Sequence, residues 1–128
     1  MDKEAAMPLD NNILIVEDEK ELLMTLSEQL SLEGYDVATA DDGEQALAVL
    51  QKKKFSLVVL DLKLPKVSGF DVLKFLKQKS LQSKVIVLTA YADLKNVTMV
   101  KDLGADDVIE KPYELGDLID AIHFVMKK

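Results

Sequence analysis

Short apolar runs that stop abruptly on polar residues recur along this chain, and stretches with helical spacing separate them. The sharpest is Ser56-Leu57-Val58-Val59-Leu60-Asp61, which reads as a strand buried on both faces, the kind found in a parallel sheet. Ile13-Leu14-Ile15-Val16 is a second such run and ends in Glu17-Asp18-Glu19. Lys84 to Thr89 and Asp107 to Glu110 supply two more strands, and Tyr35 to Ala40 alternates weakly, as an edge strand does.

Between them lie helical stripes. Leu22, Leu23, Leu26 and Leu30 share one face, with Gly34 as the stop. Asp42, with Gln45 three residues on, forms a capping-box pattern ahead of Ala46, Leu47 and Leu50. Phe70, Leu73 and Leu76 mark a third helix ending near Ser80. Asp93 can cap a fourth, carrying Val97 and Val100 and closed by Gly104. Leu115, Leu118, Ile119, Ile122 and Val125 give the fifth and cleanest stripe. Strand–helix alternation five times over predicts a single doubly wound α/β domain of flavodoxin-like type. Its parallel sheet is expected in the order 2-1-3-4-5. Residues 1–12, with Pro8 and no periodicity, are expected as a loose leader, and residues 13–126 as the domain.

Composition narrows the function. At 128 residues and 48% hydrophobic content, one core suffices. A net charge of −7 repels phosphate backbones, so direct nucleic-acid binding is not expected. The basic run Lys52-Lys53-Lys54 falls at a helix end, where cations complement the dipole. There is no cysteine, hence no disulfide or thiolate metal site. No apolar stretch approaches the roughly 18 residues that span a membrane. These features suit a cytoplasmic protein.

In such a sheet the carboxyl ends of the strands line one edge, where ligands bind. Glu17, Asp18 and Asp61 would converge there, joined by Thr89 and Lys111. Pro65 and Gly69 mark the loop that follows Asp61. Acids after a strand also favour the first turn of a helix, so Glu17-Asp18-Glu19 alone leaves two readings open. Carboxylates without histidine or cysteine favour a hard cation such as Mg2+. Asp18 and Asp61 could be direct ligands, a backbone carbonyl near Lys63 a third, and Glu17 could hold a bound water. Asp61 then reads as a phosphate acceptor, with Lys111 pairing first with it and then with phosphoryl oxygens, and Thr89 donating to the same oxygens. No Walker or dinucleotide glycine loop is present. A serine or cysteine nucleophile with a histidine base is also missing, since His123, the only histidine, sits in the last helix.

Four motifs in order carry a family likeness: Ile13 to Glu19, Leu60-Asp61-Leu62-Lys63-Leu64-Pro65 with Gly69, Leu88-Thr89-Ala90, and Gly104-Ala105-Asp106-Asp107 leading to Lys111-Pro112. From Ile13 to Met126 the chain resembles a response-regulator receiver domain of two-component or phosphorelay signalling. The resemblance implies that Asp61 takes a phosphoryl group from a histidine kinase or histidine phosphotransfer protein. It implies Mg2+ held by Asp18, Asp61 and the Lys63 carbonyl, with Glu17 at the other acidic position. Thr89 and Lys111 match the pair that senses the phosphoryl group, and a cis Lys111–Pro112 peptide is implied. The output face would comprise the fourth helix, fifth strand and fifth helix, which is also a candidate homodimer surface. The downstream effector is unspecified.

Three positions depart from the family pattern or qualify it. Val108 stands where many members carry a rotating Tyr or Phe, so a smaller surface change is expected, or one carried by the loop from Ala90 to Leu94. Lys63 and Tyr91 flank the path by which water would attack an acyl phosphate, and Tyr91 is bulky enough that slow self-dephosphorylation is expected. For Lys63 a freely solvated side chain is an equal alternative. A receiver-like interaction module that works without phosphorylation is the competing reading. A small Mg2+-dependent phosphohydrolase is another, though no general acid/base or substrate lid is evident. The chain is thus expected to catalyse only its own phosphorylation and dephosphorylation.

Overall fold

The computed structural model describes residues 11–79, 82–90 and 94–127. Strands and helices alternate as β1 (Asn12–Val16), α1 (Lys20–Leu32), β2 (Asp36–Ala40), α2 (Gly43–Lys52), β3 (Leu57–Asp61), α3 (Gly69–Gln78), β4 (Lys84–Thr89), α4 (Leu94–Asp102), β5 (Asp107–Glu110) and α5 (Leu115–Met126). All pairings are parallel, in the order β2-β1-β3-β4-β5. Fold class and strand order match the expectation.

The uniformly apolar strands make sense once both faces are seen. Side chains alternate across a strand, so Leu14, Val16, Val58, Leu60, Val85 and Val87 face α2, α3 and α4 in one core. Ile13, Ile15, Leu57, Val59, Ile86 and Leu88 face α1 and α5 in the other. Each fully buried Leu or Ile contributes about 1.5–3 kcal/mol, which the central strands do on both sides. The amphipathic helices close each layer through Leu26 and Leu30 of α1, Ala46 and Leu50 of α2, and Leu118 and Ile122 of α5.

Local details differ from the sequence expectation in three places. The first strand starts at Asn12, one residue early, because the buried Asn12 side chain donates to the Lys54 carbonyl at 3.3 Å. The rest of the expected leader, residues 1–10, lies outside the described residues, as do the Asp93 cap and Ser80. Asp42 does cap α2, accepting from Gln45 N at 2.7 Å. The reciprocal bond instead goes to Asp41 N, from which Gln45 Oε1 accepts at 3.1 Å. α3 has a cap the sequence reading passed over, Ser68, whose hydroxyl accepts from Asp71 N. Helices α1 and α4 stop where expected, at Gly34 (φ 98°) and Gly104 (φ 103°), in the left-handed region that glycine tolerates. No helix among the described residues is long and apolar enough to cross a membrane.

His123 lies on the face of α5, contacting Glu33 Oε1 and stacking on Tyr35, so it ties α5 to the end of α1. That is a packing role, and His123 is not part of the Glu17-Asp18-Asp61 cluster. Lys53 of the basic run pairs with Asp36 at 3.9 Å and lies over the Phe55 ring.

Candidate functional site: an acidic rim with one lysine ion pair

β1 and β3 are neighbours, so their carboxyl ends deliver Glu17, Asp18 and Asp61 to one point. A carboxylate oxygen from each lies within 4.8 Å of the other two. The three sites differ sharply in exposure. Glu17 is 1% exposed and Asp61 3%, while Asp18 is exposed. Glu19 takes the N-cap position of α1, so the helix-start reading of the acidic run holds for that residue alone.

Asp61 is held from two sides. Its Oδ1 accepts from Lys63 N at 3.1 Å, and its Oδ2 accepts from Lys111 Nζ at 2.8 Å. Lys111 follows β5, and its backbone N–H donates to the Thr89 carbonyl at 2.8 Å, which fixes the start of the loop. The Lys111–Pro112 peptide is cis. Lys111 Nζ also lies 3.6 Å from Glu17 Oε1. Burial works against the ammonium charge, but Asp61 and Glu17 outweigh it and hold the lysine pKa above its ordinary value.

Glu17 is the strained member. Its Oε2 accepts from Glu19 N at 3.0 Å, yet Oε1 is buried without a hydrogen-bond partner. Burial pushes its pKa up to about 7, with Asp61 and Asp18 adding to the rise, while the Glu19 N–H and Lys111 oppose it. A carboxyl raised in this way holds its proton more tightly folded than unfolded. Its stabilisation is therefore complete below 4.5 and is lost as pH rises through about 7. In chelator, the melting midpoint is expected to fall between about pH 5 and about pH 8, and Glu17→Gln should flatten that slope. A slope that survives Glu17→Gln would assign the effect elsewhere.

The donor set suits a hard divalent cation. Three carboxylates crowd one point with no histidine or cysteine in the cluster among the described residues, and an orphaned buried oxygen waits on Glu17. A cation there would offset the mutual repulsion of the acids, which adds to the burial-driven rise of the Glu17 pKa. Beside the acids opens a cleft of about 590 Å³ lined by Asp18, Asp61, Lys63, Thr89 and Lys111, and on its apolar side by Phe70. Thr89 ends β4 and is buried at the cleft wall. The Lys63 side chain is exposed and lines the cleft. Tyr91, the other expected flank, lies outside the described residues. Val108 is partly buried against the core between the sheet and α4, and does not reach the cleft lining.

Comparison with known proteins agrees with this geometry. A family model described as the response regulator receiver domain matches residues 13–123. The transcriptional regulatory protein CpxR of Klebsiella pneumoniae is 41% identical over 118 residues, covering 92% of this chain and 50% of that protein. The alkaline phosphatase synthesis regulator PhoP of Bacillus subtilis is 35% identical over 120 residues, covering 94% and 50%. The chain thus spans about half the length of these relatives. Among solved structures, the non-phosphorylated HemR receiver domain of Leptospira biflexa superposes with a TM-score of 0.87 at 33% identity, covering 91% of this chain and 94% of that one. The regulator TrrA of Thermotoga maritima, solved with Mg2+ and BeF, gives 0.78 at 31% identity, covering 90% and 98%. With the family match running from β1 into α5 over this strand order, the chain belongs to the response regulator receiver domain family of two-component signalling.

Proposed function

We propose that this domain accepts a phosphoryl group on Asp61 from a phospho-histidine donor in a Mg2+-dependent reaction, and that the modified site alters a partner-binding surface. The observation that carries this reading is the setting of Asp61. It is a buried carboxylate at a strand end, gripped by the Lys63 N–H and the Lys111 ammonium, with two further carboxylates within 4.8 Å. The TrrA relative solved with Mg2+ and BeF lends support, since it pairs this fold with a metal and a fluoride of beryllium.

Asp18, Asp61 and the Lys63 carbonyl would hold the cation, with Glu17 on a bound water. Bound there, Mg2+ supplies positive charge that screens the acids and meets the phosphoryl oxygens. An Asp61 oxygen forms the new O–P bond as the donor's N–P bond breaks, and the donor imidazole leaves with a proton. Lys111 Nζ, on its flexible stem, follows the charge from the carboxylate to a phosphoryl oxygen. Thr89, a lining residue of the cleft, supplies a hydroxyl that donates to the same group in this reading. Thr89 and Lys111 end β4 and begin the β5–α5 loop, so their movement is felt first on the face built from α4, β5 and α5. A histidine kinase or histidine phosphotransfer protein is the fitting donor, and the output partner binds that face.

Incubation with acetyl phosphate and Mg2+ tests the reading by intact mass. One phosphoryl group should be gained, lost when chelator replaces Mg2+, and mapped to Asp61 after borohydride reduction of the acyl phosphate. Mass unchanged with both acetyl phosphate and a beryllofluoride mimic would overturn it. A companion expectation concerns lifetime. If Tyr91 shields the acyl phosphate from water, Tyr91→Ala should speed loss of the group several-fold, read as mass decay after donor removal. Equal decay rates would clear Tyr91 of that role.

A further inference from the structure

Lys66, in the loop between β3 and α3, has φ 68°, in the left-handed region that a lysine adopts only under strain. Val67 N donates to the Pro65 carbonyl at 2.8 Å across it, so residues 65–67 close a γ-turn of the rare, positive-φ kind. Glycine, or a short polar residue such as asparagine, takes positive φ more easily. A strained residue persists where its surroundings hold it, and such residues gather at functional sites. What surrounds Lys66 is the start of α2. Its Nζ lies 3.6 Å from Asp42 Oδ2 and 3.6 Å from Glu44 Oε1. Asp42 is itself fixed, since it is buried and its Oδ1 accepts from Gln45 N at 2.7 Å. The Pro65 carbonyl also accepts from Gly43 N at 3.4 Å, so main chain and side chain fasten one turn to one helix end. Gly69 N donates to the Leu62 carbonyl at 2.9 Å and closes the loop onto the residue after Asp61. Lys63 lies inside that closed loop, where its N–H meets Asp61 Oδ1 at 3.1 Å.

We propose that Lys66 is a positioning residue for the acceptor site: its ion pair with Asp42 holds the γ-turn, and the held loop keeps the Lys63 carbonyl in place for the cation. The second half rests on the Mg2+ reading above. The tie between Lys66 and the loop does not. The Lys66 side chain is 62% exposed, and exposed pairs are individually weak, so the effect to look for is severalfold and local.

Lys66→Asn and Lys66→Arg separate backbone from charge. Asparagine tolerates the positive φ but is too short and uncharged to pair with Asp42, whereas arginine keeps charge and reach. Asp42→Asn removes the charge from the other side and keeps the cap, because asparagine caps as well as aspartate. In chelator, the Val67 and Gly69 amides of the full chain should exchange about threefold faster in Lys66→Asn. Asp42→Asn should move the same amides, the double variant should go no further than Lys66→Asn alone, and Lys66→Arg should match wild type. The melting midpoint of Lys66→Asn should stay near wild type, since the strain it relieves offsets the pair it loses. The Mg2+ dissociation constant, read from amide shifts, should rise about threefold in Lys66→Asn and recover in Lys66→Arg. Wild-type exchange at Val67 and Gly69 in Lys66→Asn overturns the tie, and additive effects in the double variant overturn the pairing with Asp42. Faster exchange with unchanged Mg2+ affinity overturns the positioning role. Faster exchange in Lys66→Asn, beside a wild-type chain that binds no Mg2+, would uphold the tie and sink the metal reading instead.

Discussion

Asp61→Asn is expected to abolish phosphoryl incorporation and leave the fold standing. The asparagine keeps the shape of the side chain, and its amide oxygen can still accept the Lys63 N–H that now meets Asp61 Oδ1 at 3.1 Å. What disappears is the anionic nucleophile, one of three clustered carboxylates, and the charge partner of Lys111 at 2.8 Å. The lysine has another acid within reach, Glu17 Oε1 at 3.6 Å, so it need not become an unpaired buried cation. Removing one partner of a buried pair is costly mainly when the other is stranded, and here it is not. Intact mass after acetyl phosphate and Mg2+ should show no added group, while circular dichroism and a cooperative melt resemble wild type. Incorporation at the wild-type rate would move the acceptor to another residue, with Asp18, the exposed acid of the trio, the first to map.

The elements of this fold were legible because the central strands are buried on both sides. A strand in that setting has no polar alternate positions, so β3 and β4 stand out as uninterrupted apolar runs, and the acid or hydroxyl that ends each marks the rim of the sheet. The candidate site followed from that geometry, because parallel strands place Glu17, Asp18, Asp61, Thr89 and Lys111 along one edge. What sequence spacing could not supply is how each side chain turns. Glu17 and Asp18 are adjacent acids, yet one is buried and the other exposed. Glu17 faces Lys111 Nζ at 3.6 Å, a neighbour remote in sequence that spacing does not reveal. The Ser68 cap was readable from its spacing to Asp71, three residues on.

Glycines at the starts of helices separate local propensity from tertiary contact, and three substitutions should show it with opposite signs. Gly43 opens α2 and Gly69 opens α3, while Gly116 is the second residue of α5. Helix propensity alone favours Gly→Ala at each by up to about 1 kcal/mol. At Gly116 nothing lies within 4 Å of an added Cβ, so Gly116→Ala should stabilise, by less than that amount near a helix end. At Gly69 the added carbon would overlap the Asp61 carbonyl and sit 2.5 Å from Leu62 Cα, both backbone atoms of the acceptor strand and loop. At Gly43 it would overlap the Val67 carbonyl oxygen, where the same loop crosses the start of α2 and Gly43 N donates to the Pro65 carbonyl at 3.4 Å. Backbone cannot step aside as a flexible side chain would, so overpacking outweighs propensity. Gly43→Ala and Gly69→Ala should each destabilise by about 3 kcal/mol, a drop in melting midpoint of roughly 10 °C. Because the loop from Leu62 to Ser68 carries the Lys63 carbonyl, both variants should also lose phosphoryl uptake at temperatures where they remain folded. Melts of Gly43→Ala or Gly69→Ala that rise alongside Gly116→Ala would show that the loop yields, and that it does not clamp Asp61 against the helix starts.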